Sequence, residues 1–205
     1  MNEKFYLLPK EKQEAILHAG YRVFSQNTYK HSPMSEIAAE AGISKSLLFH
    51  YFKNKKELYL FLWQQCAQTT IDRLSECGCY EQTDLFESME RAMKAKLEMI
   101  RTTPDMALFA IRAFYEKDPA IHADIQESYR NFLSFKANQA LLAMDPDQFN
   151  PAVDLSLMYR EMYWASEGYL WETIQNNDLD AGQLEEDFTR LLAFWKSIYL
   201  KEKRS

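Results

Sequence analysis

From Met34 to Leu58 the chain reads MSEIAAEAGISKSLLFHYFKNKKEL. Two short apolar-patterned runs stand on either side of Gly42. The spacing predicts a helix over about Met34–Ala41, with Ser32 as its cap and Pro33 at its first position, where a missing N–H is harmless. Gly42 breaks that helix, and Ser44 caps the next, about Lys45–Tyr51. Asn54 caps a fourth helix running to about Glu76, with Glu57 three residues later completing a capping box. Helix, glycine-containing turn, helix is the pattern of a helix-turn-helix. Ile37, Ala38, Ala41, Ile43, Leu48 and Phe52 supply the small and branched apolar set that lets two short helices cross steeply. Lys45, Ser46, Leu47, Phe49 and His50 are left partly outward, where such a helix reaches base edges.

Working outward, Lys10–Gln26 forms a helix with Ile16, Ala19, Gly20, Val23 and Phe24 on one face. Asn27 ends it as a left-handed residue. Cys77-Gly78-Cys79-Tyr80 is a break. Further helices are expected at Asp84–Thr102, Pro104–Tyr115, Asp118–Met144, Ala152–Gln175 and Ala181–Lys201, with loops at Asp145–Pro151 and at NNDLDAG. With 5 Gly and 6 Pro in 205 residues and no alternating strand pattern, the fold class is all-α, of about nine helices.

Hydrophobic residues make up 47% of the chain, enough for a sizeable core. No apolar run approaches the ~20 residues of a membrane span, and the apolar patch before Pro9 is too short for a signal peptide, so a cytoplasmic protein is expected. The net charge of -6 is unevenly placed: residues 1–60 hold nine Lys and Arg against six Asp and Glu. A mildly basic head on an acidic body would orient the head toward phosphates. Helix starts at Ser44–Lys45 and Asn54–Lys55 offer free N–H groups to anions. Lys45, Lys55, His50 and the Tyr51 hydroxyl add contacts to phosphate oxygens. The partner implied is double-stranded DNA.

MSEIAAEAGISKSLLFHYFKNKKEL resembles the DNA-binding head of the TetR family of bacterial transcriptional repressors, over about residues 10–62. The resemblance implies a three-helix DNA-binding domain, residues 1–54, and a helical ligand-binding and dimerisation domain, residues 55–205. It also implies a palindromic operator, released when a ligand binds. Departures lie at Thr28, where the family has glycine, and at Pro33, which moves the expected phosphate contact to Ser32. In the reading helix, Ser46, Leu47 and Phe49 also depart: Phe49 lacks a phosphate-touching hydroxyl, and Leu47 suits a thymine methyl. The DNA sequence read is then expected to be the chain's own.

The body is rich in aromatics and methionines, the makings of an adaptable apolar pocket. Met93, Phe109, Phe114, Tyr115, Phe132, Tyr159, Tyr163 and Trp164, with Phe135 beside them, are the expected lining for a small apolar or aromatic effector. Ala165 and Gly168 permit close helix approach, and the wide stripe of Leu184, Phe188, Leu191 and Trp195 completes an expected homodimer interface. A ligand wedged against the fourth helix would tilt both heads and loosen their grip.

Two other classes compete. A metal- or thiol-responsive regulator would use Cys66, Cys77 and Cys79, although Cys-x-Cys is a weak signature. A helical enzyme would need paired acids, a Ser-His-Asp set, a phosphate loop or HExxH, and none is present. No catalytic residue, cofactor or resident metal is expected.

Overall fold

The computed structural model describes residues 3–81, 84–175 and 180–201; the side chains of 133–143, including the expected pocket residue Phe135, lie outside that description. Among the described residues the chain is all helical: α1 (Glu3–Tyr6), α2 (Lys10–Gln26), α3 (Met34–Glu40), α4 (Lys45–Tyr51), α5 (Lys55–Glu76), α6 (Leu85–Thr102), α7 (Pro104–Tyr115), α8 (His122–Ala143), α9 (Leu155–Gln175) and α10 (Ala181–Tyr199). One 3-10 turn covers Pro146–Gln148.

Two compact units divide these helices. The first combines Met1–Thr69 with Thr102–Arg130, and the second combines Thr70–Arg101 with Asn131–Ser205. The expected domain boundary after residue 54 lies inside the first unit.

The first unit is built around rings. Phe24, Tyr59, Phe109 and Tyr21 meet at centroid distances of 4.7 Å (Phe24–Tyr59), 5.0 Å (Tyr59–Phe109) and 5.4 Å (Tyr21–Phe109). α7 therefore plugs the same core as α2 and α5. Gly20 lets α2 and α5 close on each other: a Cβ there would lie 2.6 Å from Leu62 Cδ1. The buried Tyr21 hydroxyl donates to Leu62 O at 3.2 Å. The short α1, which the sequence reading missed, buries Phe5 against Phe52 and Phe61. Four residues are too few to carry a periodic signal.

The second unit has its main core in Leu85, Phe86, Met144, Phe149, Met158, Met162, Leu192 and Trp195. Its closing segment is pinned by Asn150 N–H to Tyr199 O and Lys201 N–H to Gln148 O. A smaller cluster joins Leu74, Cys79 and Ala95. Gly78, at φ 66°, makes the turn that brings Cys79 N–H back to Leu74 O.

Candidate nucleic-acid interface

α3 ends at the Ala41 C-cap, and Gly42 follows at φ 67°, the left-handed region that favours glycine. Ile43 N–H then reaches back to Ala38 O at 2.9 Å. Ser44 Oγ accepts from Leu47 N–H at 3.1 Å, the expected cap of α4. Ile37, Ala38, Leu48 and Phe52 are all fully or almost fully buried, so α4 is anchored from behind by Leu48 and at its C-cap by Phe52.

The opposite face of α4 is open. Lys45, Ser46 and His50 are exposed, and Leu47 and Phe49 are 38% and 39% exposed, large for apolar side chains on a helix with a solid core behind it. Lys45 Nζ sits 5.9 Å from the Phe49 ring centroid, at the outer limit of a cation–π contact. Lys53, exposed at the α4–α5 junction, extends the basic edge. Sequence reasoning did not single it out, because a residue between two caps has no periodic mark.

Three expected contacts turn out differently placed. Ser32 is fully buried, with its hydroxyl donating to Thr28 O at 2.9 Å, because Pro33 takes the N-cap position of α3 itself. Tyr51 is buried on the inner side of α4. Lys55 Nζ donates to Tyr29 O at 2.6 Å and Lys30 O at 3.2 Å and lies 4.4 Å over the Tyr29 ring. Burial pushes its ammonium below the usual lysine value, against the pull of Asp118 and Glu116. Asn54 caps α5 through Glu57 N–H at 2.8 Å, while the Glu57 carboxylate reaches Lys53 N–H, one residue before the cap. Asn27 is extended, not left-handed, and its amide donates to Val23 O.

The loop before α3 is held from α7. Glu116 Oε2 accepts Tyr29 N–H at 2.7 Å, while its Oε1 accepts from Lys117 N–H and Asp118 N–H. Its backbone oxygen lies 2.7 Å from His122 Nδ1. Lys56 pairs with Asp124 at 2.8 Å, and Trp63 Nε1 donates to Ser128 Oγ at 3.0 Å. One carboxylate thus ties the end of α7 to the entrance of the reading pair.

The expected pocket and dimer residues separate. Phe109 is fully buried in the ring cluster of the first unit, where Phe114 and Tyr115 are half-buried. In the second unit Met93 and Tyr159 pack half-buried on the main core, and Phe132 and Tyr163 are half-buried. Trp164, expected in the pocket, is 57% exposed instead. Leu184 and Trp195, expected at the dimer interface, are 1% exposed; Trp195 is a centre of the subunit's own core. Helical periodicity marks both the inward and outward stripes of α10, and sequence alone did not say which was which. The outward apolar residues are Leu157, Trp164 and Trp171 on α9 and Phe194 and Ile198 on α10. Phe188, Leu191 and Ala165 are half-buried, and Gly168 is exposed.

A family model described as "Bacterial regulatory proteins, tetR family" matches residues 16–61. The "Fatty acid metabolism regulator protein" of Bacillus subtilis (strain 168) is 22% identical over 125 residues, covering 61% of this chain and 64% of that protein, just under two thirds of its length. The "HTH-type transcriptional regulator PksA" of the same organism is 26% identical over 148 residues, covering 68% of this chain and 70% of the relative. Among solved structures, the transcriptional regulator FadR from Bacillus subtilis in complex with stearoyl-CoA has a TM-score of 0.69 at 18% identity, covering 90% of this chain and 97% of that one. At that identity the likeness establishes a shared fold.

Proposed function

Starting from a chain that is a tetR-family transcriptional regulator by its residues 16–61, we propose that it works in the cytoplasm as a homodimeric repressor. Each head reads half of a palindromic operator, and a small apolar or aromatic effector in the helical body weakens that grip. The carrying observation is the face of α4: Lys45, Ser46, Leu47, Phe49 and His50 lie open on a helix whose other side is anchored by Leu48 and Phe52. Ser46 and His50 are suited to base edges, Leu47 to a thymine methyl, and Lys45 and Lys53 to phosphates.

The dimer reading rests on the outward apolar stripe. Leu157, Trp164 and Trp171 recur every seventh residue along α9, beside Phe194 and Ile198 of α10. Exposed large side chains in such a row mark an interface, and a two-fold axis through it makes a four-helix bundle. Two heads then read half-sites ~34–36 Å apart.

For the effector, the candidates in the second unit are Met93, Phe132, Tyr159 and Tyr163, and in the first Phe114 and Tyr115. A relative named for fatty acid metabolism and a fold-mate holding stearoyl-CoA favour an apolar ligand. The release route runs within the first unit: α5 and α7 share the ring cluster with α2, and Glu116 holds Tyr29 N–H. A shift of α7 is felt at the entrance of the reading pair.

Selection from a random DNA pool, followed by fluorescence anisotropy, tests the reading. An inverted repeat should emerge, and Lys45→Glu should abolish its binding. Recovery of unrelated sequences by wild type and Lys45→Glu alike would sink it, and unchanged operator affinity under a saturating bound ligand would refute release. The metal- or thiol-responsive reading has less to rest on. Cys66 and Cys79 are buried, and among the described residues no group of three or more His, Cys, Asp or Glu is placed to hold a metal ion. The relatives compared are named as regulators, and no enzymatic activity is proposed.

A further inference from the structure

Arg112 lies in the third turn of α7, half-buried, on a helix whose Met106, Ala107, Phe109 and Ala113 are buried. Its Nε is buried and, among the described residues, is the side-chain nitrogen or oxygen left in that state without a hydrogen-bond partner. Several other arginines are paired with acids: Arg22 with Glu40, Arg91 with Glu87, Arg101 with Glu185. Those pairs are exposed, where an ion pair contributes little. The buried Nε of Arg112, where a partner matters more, has none among the described residues.

A guanidinium stays charged at any working pH, so it cannot relieve burial by losing its proton. The acids on its own helix are engaged elsewhere. Glu116, one turn on, accepts the N–H groups of Tyr29, Lys117 and Asp118, and Asp105, two turns back, accepts from Ser25 Oγ. The planar fork of arginine fits a carboxylate or a phosphate ester. Apolar surroundings strengthen such a pair.

We propose that Arg112 is the anchor for an acidic head on the effector, so that the ligand is an apolar tail bearing a carboxylate or phosphate ester. This rests on the effector reading above and sharpens it: neutral apolar compounds would lack the group that fixes the ligand in place. The anchor lies one helical turn before Glu116, on the helix that holds Tyr29. Ligand charge therefore enters next to the release route.

Three probes with one tail separate the possibilities: stearate, stearoyl-CoA and octadecan-1-ol, each titrated by calorimetry and thermal shift. Wild type should bind at least one of the two acids roughly tenfold or more tightly than the alcohol. Preference for stearate assigns a carboxylate, and preference for stearoyl-CoA assigns phosphate. Arg112→Gln should remove that preference, bringing acid affinity down to that of the alcohol; Arg112→Lys, which keeps the charge, should retain part of it and serves if Arg112→Gln does not fold. Arg112→Met, without ligand, should melt higher than wild type, since an unpartnered charge leaves the interior. Equal binding of acid and alcohol, or equal acid binding by wild type and Arg112→Gln, overturns the anchor while leaving the effector reading intact. So does a lower melting temperature for Arg112→Met combined with unchanged acid affinity, which would make Arg112 a packing residue. If no probe binds, the anchor is likewise overturned, and operator release by neutral aromatic compounds then decides the effector reading separately.

Discussion

At Gly42 the backbone sits at φ 67°, and a Cβ there would meet nothing within 4 Å. The demand for glycine is therefore conformational, not steric. Gly42→Ala is expected to destabilise the head by about 1 kcal/mol through the left-handed strain alone. A melting temperature equal to wild type would show that the turn tolerates a side chain. Glu116 is the other decisive single residue. Removing it leaves Tyr29 N–H, Lys117 N–H and Asp118 N–H without their acceptor. Glu116→Ala should keep operator binding but lose much of its response to ligand, read as the ratio of anisotropy midpoints with and without effector. A ratio like that of wild type would remove Glu116 from the release route. Local signals in the sequence were legible here where they are local in fact: the Ser44 cap, the Gly42 break and the Asn54–Glu57 pairing all follow from neighbours within a few residues. Lys55 was not legible, because its engagement with Tyr29 O and Lys30 O spans 26 and 25 positions and no spacing announces it.

Among elements, α2 and α5 cross where Gly20 meets Leu62. Gly20→Ala should force the fully buried Leu62 to shift and destabilise the first unit by about 1–3 kcal/mol, measured by urea unfolding. An unchanged midpoint would mean that Leu62 finds another rotamer at no cost. On α9 and α10, replacing outward apolar residues with acids, as in Trp164→Glu with Phe194→Glu, should turn a dimer into a folded monomer. Sedimentation at micromolar concentration reads this, and a persisting dimer would move the interface elsewhere. The element boundaries were largely legible, since caps and apolar periodicity agree for α2 through α7. The inner and outer faces of α10 were not. A helix carrying Leu184, Leu192 and Trp195 on one side and Phe194 and Ile198 on another reads as one broad stripe, and only packing separates core from surface.

Across the whole molecule, the phenols set how stability responds to alkali. Burial pushes Tyr21 and Tyr59 well up, and burial together with the hydrogen bond to Asp187 pushes Tyr169 up to about 12. In each case the folded chain keeps a proton that the unfolded chain releases near pH 10. Their contribution is therefore fully present below pH 10 and falls as pH rises, for Tyr169 through about 12. Urea midpoints across pH 8–12 should show this decline, and Tyr169→Phe should make it shallower. An identical slope in the variant would deny Tyr169 a share.

The first unit gathers Met1–Thr69 and Thr102–Arg130, so the reading head is completed by residues far along the chain. Phe109 fills the ring cluster, and Glu116 holds Tyr29. A ribosome that has just released Thr69 has delivered the reading helix but not these supports. At about 5–20 residues per second they follow several seconds later. Until then, Tyr21, Phe24 and Tyr59 have no Phe109 to close over them. The nascent head therefore waits with those rings uncovered, and a fragment stopped at Thr69 should give poorly dispersed amide resonances where the full chain does not.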